Sequence, residues 1–228
     1  MKTSISRYLD HAVLKPEMTI QEAHDAIAEG VMYEVKTVCV RPCDIPMAIK
    51  LCKGSGTVVC CVLAFPHGDI PTALKEAEAR LYIALGVREI DMVANYGHIR
   101  SHEWKLVLED VSAVALIAKQ AGVLLKVIIE TAMLTISEIA KTTEICVEAG
   151  ANYVKTSTGF NGEGATEAGV KAILEAAGGR ILVKASGGIR DRTRAQMFID
   201  MGCSRLGVGY NSTKATCDET KHASRDDY

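Results

Sequence analysis

The stretch Ile145-Cys146-Val147-Glu148-Ala149-Gly150-Ala151-Asn152-Tyr153-Val154-Lys155-Thr156 decides the fold. Its first half closes an amphipathic helical pattern over Ser137 to Ala149, Gly150 ends that pattern, and Asn152 to Thr156 reads as a short apolar strand. Glycine leaves a helix in the left-handed conformation at no steric cost, so this order marks a helix C-terminus feeding a strand. The same mark recurs at Gly30, Gly54, Gly86, Gly122, Gly178 and Gly202.

Working outward, the strands predicted after these glycines are Thr37 to Val40, Thr57 to Leu63, Glu89 to Val93, Leu124 to Ile129, Asn152 to Thr156, Ile181 to Ala185 and Arg205 to Val208. Tyr8 to Leu14 at the start makes eight. Helical patterns lie between them, as at Thr72 to Leu85, Glu103 to Gln120 and Glu167 to Ala177. Such alternation implies parallel βαβ units with right-handed crossovers, and eight of them describe a (β/α)8 barrel of the TIM type. A doubly wound sheet is the competing architecture, but no GxGxxG turn follows an early strand; Gly54-Ser55-Gly56 precedes its strand instead.

The 228 residues, 48% hydrophobic and 24% charged, fit a single domain with a sizeable core, and residues 211–228 read as a polar, loosely packed tail. Only 5% are aromatic, so Val, Ile, Leu, Ala and Met must fill that core, as suits parallel strands buried on both faces. A net charge of −2 gives no broad attraction to nucleic acid or to anionic membranes. The longest apolar run, Val58 to Phe65, is far short of the roughly 18 residues of a membrane helix. The N-terminus lacks the apolar stretch of a signal peptide, and the eight cysteines show neither a CxxC pair nor a zinc-like grouping. Reduced thiols in a cytoplasmic protein are the expectation, with no metal.

Four strands carry a residue that an apolar core should reject: Asp91, Lys126, Lys155 and Lys184. They lie 5, 4, 5 and 6 residues after the preceding helix-ending glycine, which predicts equivalent, inward-facing positions on strands 4 to 7. Glu89 and Glu130 are further carboxylates able to pair some of the lysines, but a purely structural cluster would balance three cations with more inward acids. A free lysine titrates near ~10.4, and bringing it to ~7 takes about 4.6 kcal/mol. A second ammonium and desolvation supply energy of that order, so the pattern predicts an imine-forming nucleophile with a cationic neighbour.

The loops after strands 6 to 8 offer small residues and one cation. Gly159, Gly187, Gly188, Gly207 and Gly209 let backbone N–H groups approach an anion, and Arg190 adds a charged donor. This is the usual phosphate position of the fold.

The motifs Leu9-Asp10-His11-Ala12-Val13-Leu14-Lys15-Pro16, Val38-Cys39-Val40, Glu89-Ile90-Asp91-Met92-Val93, Leu125-Lys126-Val127-Ile128-Ile129-Glu130-Thr131, Val154-Lys155-Thr156-Ser157-Thr158-Gly159-Phe160 and Val183-Lys184-Ala185-Ser186-Gly187-Gly188-Ile189-Arg190 resemble the 2-deoxyribose-5-phosphate aldolases over nearly the whole chain. The resemblance implies a class I, cofactor-free aldolase that cleaves a sugar phosphate reversibly to acetaldehyde and D-glyceraldehyde 3-phosphate. It implies Lys155 as the Schiff-base lysine and Lys184 as the neighbour that lowers its pKa. Asp91, with Lys126 and a water, would relay protons, and Lys126 would also touch the substrate hydroxyl. Supporting roles fall to Asp10 and Cys39, and the terminal Tyr228 would help to move a methyl proton. The chain departs from the family at Gly209-Tyr210-Asn211-Ser212, where relatives commonly place adjacent serines; backbone donors or Ser212 would then hold the phosphate.

Other features read as structural. His98, His102 and Glu103 fit a solvated helix start, and His67 fits a loop. A transaldolase-like or bisphosphate aldolase would place its lysine differently or need a second anion site, and a non-catalytic sugar-phosphate-binding barrel leaves Lys155 beside Lys184 unexplained. The sequence does not fix an oligomeric state; a homodimer is the assembly carried forward.

Overall fold

Helix starts are set by local chemistry. Thr19 and Thr135 each accept a hydrogen bond from the backbone N–H three residues on, and Glu22 and Glu138 accept one from the backbone N–H of Thr19 and Thr135. These capping boxes satisfy donors that a helix end leaves orphaned. Gly178 and Gly202 close two helices in the left-handed conformation.

The computed structural model describes residues 4–218. Its principal elements run β1 (Leu9–Val13), α1 (Ile20–Met32), β2 (Thr37–Val40), α2 (Ile45–Cys52), β3 (Val58–Leu63), α3 (Thr72–Ala84), β4 (Glu89–Val93), the short α4 (Tyr96–Arg100), α5 (Trp104–Gln120), β5 (Leu124–Ile128), α6 (Ile136–Glu148), β6 (Tyr153–Lys155), α7 (Glu167–Ala177), β7 (Leu182–Ser186), α8 (Arg192–Met201), β8 (Arg205–Gly209) and α9 (Thr213–Cys217). The strands pair in parallel in chain order, and β1 pairs β8 to close the barrel. This is the expected (β/α)8 architecture in one domain.

One apolar layer joins strands to helices, through outward residues such as Leu9, Ile90, Leu125, Val183 and Leu206. Burial of each such side chain contributes about 1.5–3 kcal/mol. A smaller apolar cluster, Leu14, Cys39, Cys60 and Val62, lies apart from that layer, packed with Ala12 and Phe65. Among the described residues no helix is long and apolar enough to cross a membrane.

Strand register sets the depth of each charge. Asp91 pairs with Lys126, and Lys155 with Lys184, as equivalent positions require. Between β5 and β6, however, Lys126 pairs with Tyr153 and Lys155 with Ile128. A stagger of two residues keeps Lys126 facing inward but sets it one layer deeper than Lys155. The four charges therefore do not share one level.

Two other expectations change. Gly30 does not end a helix: α1 runs on to Met32, and Glu34 takes the left-handed position at φ 52°. Gly30 is instead where α1 meets the sheet, since a Cβ there would lie 2.9 Å from both His11 Cδ2 and Val38 Cγ1. The packed chain also extends beyond residue 211. In α9 Thr213 and Thr216 are fully buried, and Thr213 Oγ1 hydrogen-bonds His11 Nδ1 at 2.8 Å.

Candidate active site

Asp91 is the hub of the barrel interior. Its Oδ1 accepts a hydrogen bond from Lys126 Nζ at 2.8 Å. Its Oδ2 accepts from Lys155 Nζ and from Lys184 Nζ, both at 2.7 Å. Lys184 also donates to Asp10. Lys126 lies 2.6 Å from Glu89 Oε2 and 3.3 Å from Asp10 Oδ2. Arg205 Nη1 completes the layer, donating to Asp10 Oδ1 at 2.7 Å and to Glu89 Oε2 at 2.9 Å. All seven side chains are buried.

Burial alone would raise the pKa of Asp91 and Asp10, but the surrounding cations outweigh it and hold both carboxyls well below their usual range. For Lys184 and Lys126 burial pushes downward, and Asp10 and Asp91 outweigh it, so both remain charged well above the ordinary lysine range. Arg205 is likewise raised against burial by Asp10 and Glu89. Three carboxylates thus face four basic side chains. Among the described residues, Lys126, Lys184 and Arg205 each contact at least two of those acids, whereas Lys155 meets Asp91 alone.

A cleft of about 790 Å³ opens above this layer, lined by Asp10, Cys39, Lys155 and Lys184 at its floor. All six residues expected to hold an anion, Gly159, Gly187, Gly188, Arg190, Gly207 and Gly209, line the same cleft. Gly187 has φ 87°, and a Cβ there would sit 2.8 Å from Gly164 Cα, so its loop packs backbone to backbone against the loop after β6. Ser186, Asn211, Ser212 and Lys15 also line the cleft, and a Cβ on Gly209 would meet Asn211 Oδ1 at 3.0 Å. The Asn211 amide thus stands beside Gly209 within the cleft.

Some expectations fall elsewhere. Lys126 is enclosed by Cys60, Asp10, Glu89 and Asp91 and does not line the cleft, so it reaches the site through Asp91 and Asp10. Among the described residues Glu130 pairs no lysine; it accepts from Thr158 Oγ1 at 2.5 Å and from Asn161 Nδ2 at 3.2 Å, bracing the loop after β6. His102 contacts Glu138 at 3.3 Å, and neither His98 nor His102 joins a metal-competent group among the described residues. His67 is exposed and outside the cleft lining. Tyr228 lies outside the described residues.

Sequence reasoning missed Arg205 and Cys60. Arg205 opens its strand, where a charge reads as a solvated end, yet it pairs with Lys184 across β7 and β8. Its signal was the one used for the lysines, a charge on an apolar strand. Cys60 pairs with Cys39 across β2 and β3, and its thiol donates to Asp91 Oδ1 at 3.2 Å. No local motif announces two cysteines that meet across separate strands.

Known proteins match this chain along most of its length. The family model described as DeoC/LacD family aldolase matches residues 5–209. The chain is 41% identical over 204 residues to a deoxyribose-phosphate aldolase of Mannheimia succiniciproducens, covering 90% of each protein. It is 42% identical to one of Lactiplantibacillus plantarum, over 90% of this chain and 95% of that protein. Among solved structures, QR15, an aldolase, superposes with a TM-score of 0.86 at 36% identity, covering 91% of this chain and 92% of that one. A deoxyribose phosphate aldolase from Aeropyrum pernix, described as a tetramer, gives 0.85 at 27% identity over 93% of this chain and 89% of its own.

Proposed function

The chain belongs to the DeoC/LacD aldolase family, and from that premise we propose a class I aldolase that reversibly cleaves 2-deoxy-D-ribose 5-phosphate to D-glyceraldehyde 3-phosphate and acetaldehyde, with Lys155 forming the imine. The observation that carries this reading is that Lys155 and Lys184 line the same cleft and share one acceptor, Asp91 Oδ2, which sets an amine beside a second cation where a carbonyl can reach it.

The chemistry proceeds from that amine. Lys155 Nζ adds to the aldehyde carbon of the open-chain sugar, and loss of water gives a protonated imine. The substrate hydroxyl on the third carbon then yields its proton, and the bond between the second and third carbons breaks with its electron pair drawn towards the imine. D-Glyceraldehyde 3-phosphate leaves an enamine on Lys155. Protonation at carbon and hydrolysis release acetaldehyde and restore the amine. Asp91, bonded to Lys155 and Lys184, is the group placed to pass protons; Lys126 orients Asp91 from beneath and is a positioning residue. Arg190 and the glycine loops take the phosphate, with Ser212 in the same cleft as a substitute for the serines that Gly209-Tyr210 replaces. Asp10 holds Lys184 in place, Cys39 lines the floor, and Tyr228 remains the proposed carrier of the methyl proton.

The setting proposed is a reducing cytoplasm, supported by eight cysteines that are all free thiols. Assembly as a homodimer is supported by one face of α3, where Leu74 and Leu81 are 54% and 56% exposed. Sedimentation reads that state. The reaction itself is tested by release of D-glyceraldehyde 3-phosphate from 2-deoxyribose 5-phosphate in a coupled assay. Release is expected, and a folded protein that releases none contradicts the reading.

A further inference from the structure

We propose that Cys39, Cys60 and Asp91 form a capture site for a thiophilic divalent cation, such as zinc or cadmium, whose binding switches the enzyme off. Cys60 Sγ lies 3.2 Å from Asp91 Oδ1 and Cys39 Sγ lies 3.9 Å from Asp91 Oδ2. One ligand atom from each residue falls within 4.8 Å of the others. Tetrahedral zinc, with Zn–S near 2.3 Å and Zn–O near 2.0 Å, sets neighbouring donors roughly 3.5–3.8 Å apart. The two sulfur–oxygen distances, 3.2 and 3.9 Å, bracket that spacing. The strands hold them there, because Cys39 and Cys60 are register partners in the barrel wall.

Charge favours capture as well. One divalent cation binding two thiols releases two protons to solvent, so the barrel interior gains no net charge in a place already rich in cations. Lys126 Nζ lies 3.4 Å from Cys60 Sγ and stays as a donor to the coordinated sulfur. Cys39 lines the cleft, so it is the donor that an entering ion meets first. Coordination then draws on Asp91, the acceptor shared by Lys155 and Lys184, and fills the β2–β3 side of the cleft floor.

Binding stands on this geometry alone, while the loss of activity rests on the aldolase reading above. Cadmium is titrated into the full-length protein in metal-free buffer with a non-thiol reductant, following the ultraviolet cadmium–thiolate charge-transfer band together with the retro-aldol rate. The band is expected to saturate at one ion per chain as the rate falls, with both effects reversed by EDTA. Cys60→Ser should weaken both by at least ~10-fold, each rate being normalised to the variant's own metal-free value. Cys43→Ser, which alters an exposed thiol, should leave the titration where it was. A missing band, or a Cys60→Ser titration that does not move, overturns the site. A full band with an unaltered rate overturns the switch. If Cys60→Ser does not fold, X-ray absorption of the zinc-loaded unmodified protein decides instead: two sulfur ligands per zinc are expected, and a shell of oxygen and nitrogen alone overturns the proposal.

Discussion

Lys155 and Lys184 hydrogen-bond to the same atom, Asp91 Oδ2, each at 2.7 Å. Their nitrogens are therefore no farther apart than twice that distance, in a place where little water screens them. Lys184 is also held by Asp10. Replacing Lys184 by Leu removes the cation beside the proposed imine nitrogen. The expected result is a lower rate at neutral pH and an activity profile moved to higher pH. A profile that stays in place removes Lys184 from that role.

Arg205 spans Asp10 and Glu89 with one guanidinium. Arg205→Met leaves two buried carboxylates short of a partner, and breaking buried pairs in this way typically costs about 3–5 kcal/mol. Urea unfolding should show a loss of that order. The double variant Arg205→Met with Glu89→Gln should recover part of it, because one uncompensated charge is gone.

Gly207 faces the floor of the cleft. A Cβ there would collide with Ser186 Oγ and sit 3.3 Å from Lys184 Cε. Gly207→Ala should therefore cost about 1–3 kcal/mol in overpacking while displacing Lys184, so activity falls in a protein whose far-ultraviolet circular dichroism is unchanged. Full activity would show that Lys184 tolerates displacement.

His11 links stability to pH. Its Nε2 donates to Ala26 O at 2.8 Å and its Nδ1 accepts from Thr213 Oγ1, an arrangement that needs a neutral ring. Burial pushes its pKa down to about 4, against the backbone hydrogen bond. Above ~6.5 the ring is neutral whether folded or unfolded. Below that the unfolded chain gains a proton that the folded one refuses, so stability falls as pH drops from ~6.5 to ~4, by up to about 3 kcal/mol. Urea midpoints measured across this range should decline in the native protein and decline less in His11→Asn.

Periodicity and punctuation made the barrel legible: every strand lies within one or two residues of its expected bounds, because helix-ending glycines and apolar runs are local signals. Asp91, Lys155 and Lys184 were legible for a related reason, as charges on strands that have no water to face. The depth of Lys126 was not, since it depends on a two-residue stagger between β5 and β6 that only pairing defines. Nor was the pairing of Cys39 with Cys60, which lie on neighbouring strands with no shared motif. Gly30 misled because a glycine beneath a close helix–sheet contact looks, in sequence, like a glycine that ends a helix.

If Lys155 is the amine that forms the imine, borohydride reduction in the presence of acetaldehyde traps it, and peptide mass mapping locates the product. A single ethyl adduct is expected on Lys155, absent in Lys155→Met. A folded protein that forms no adduct, or carries it on Lys126 or Lys184, would contradict that role.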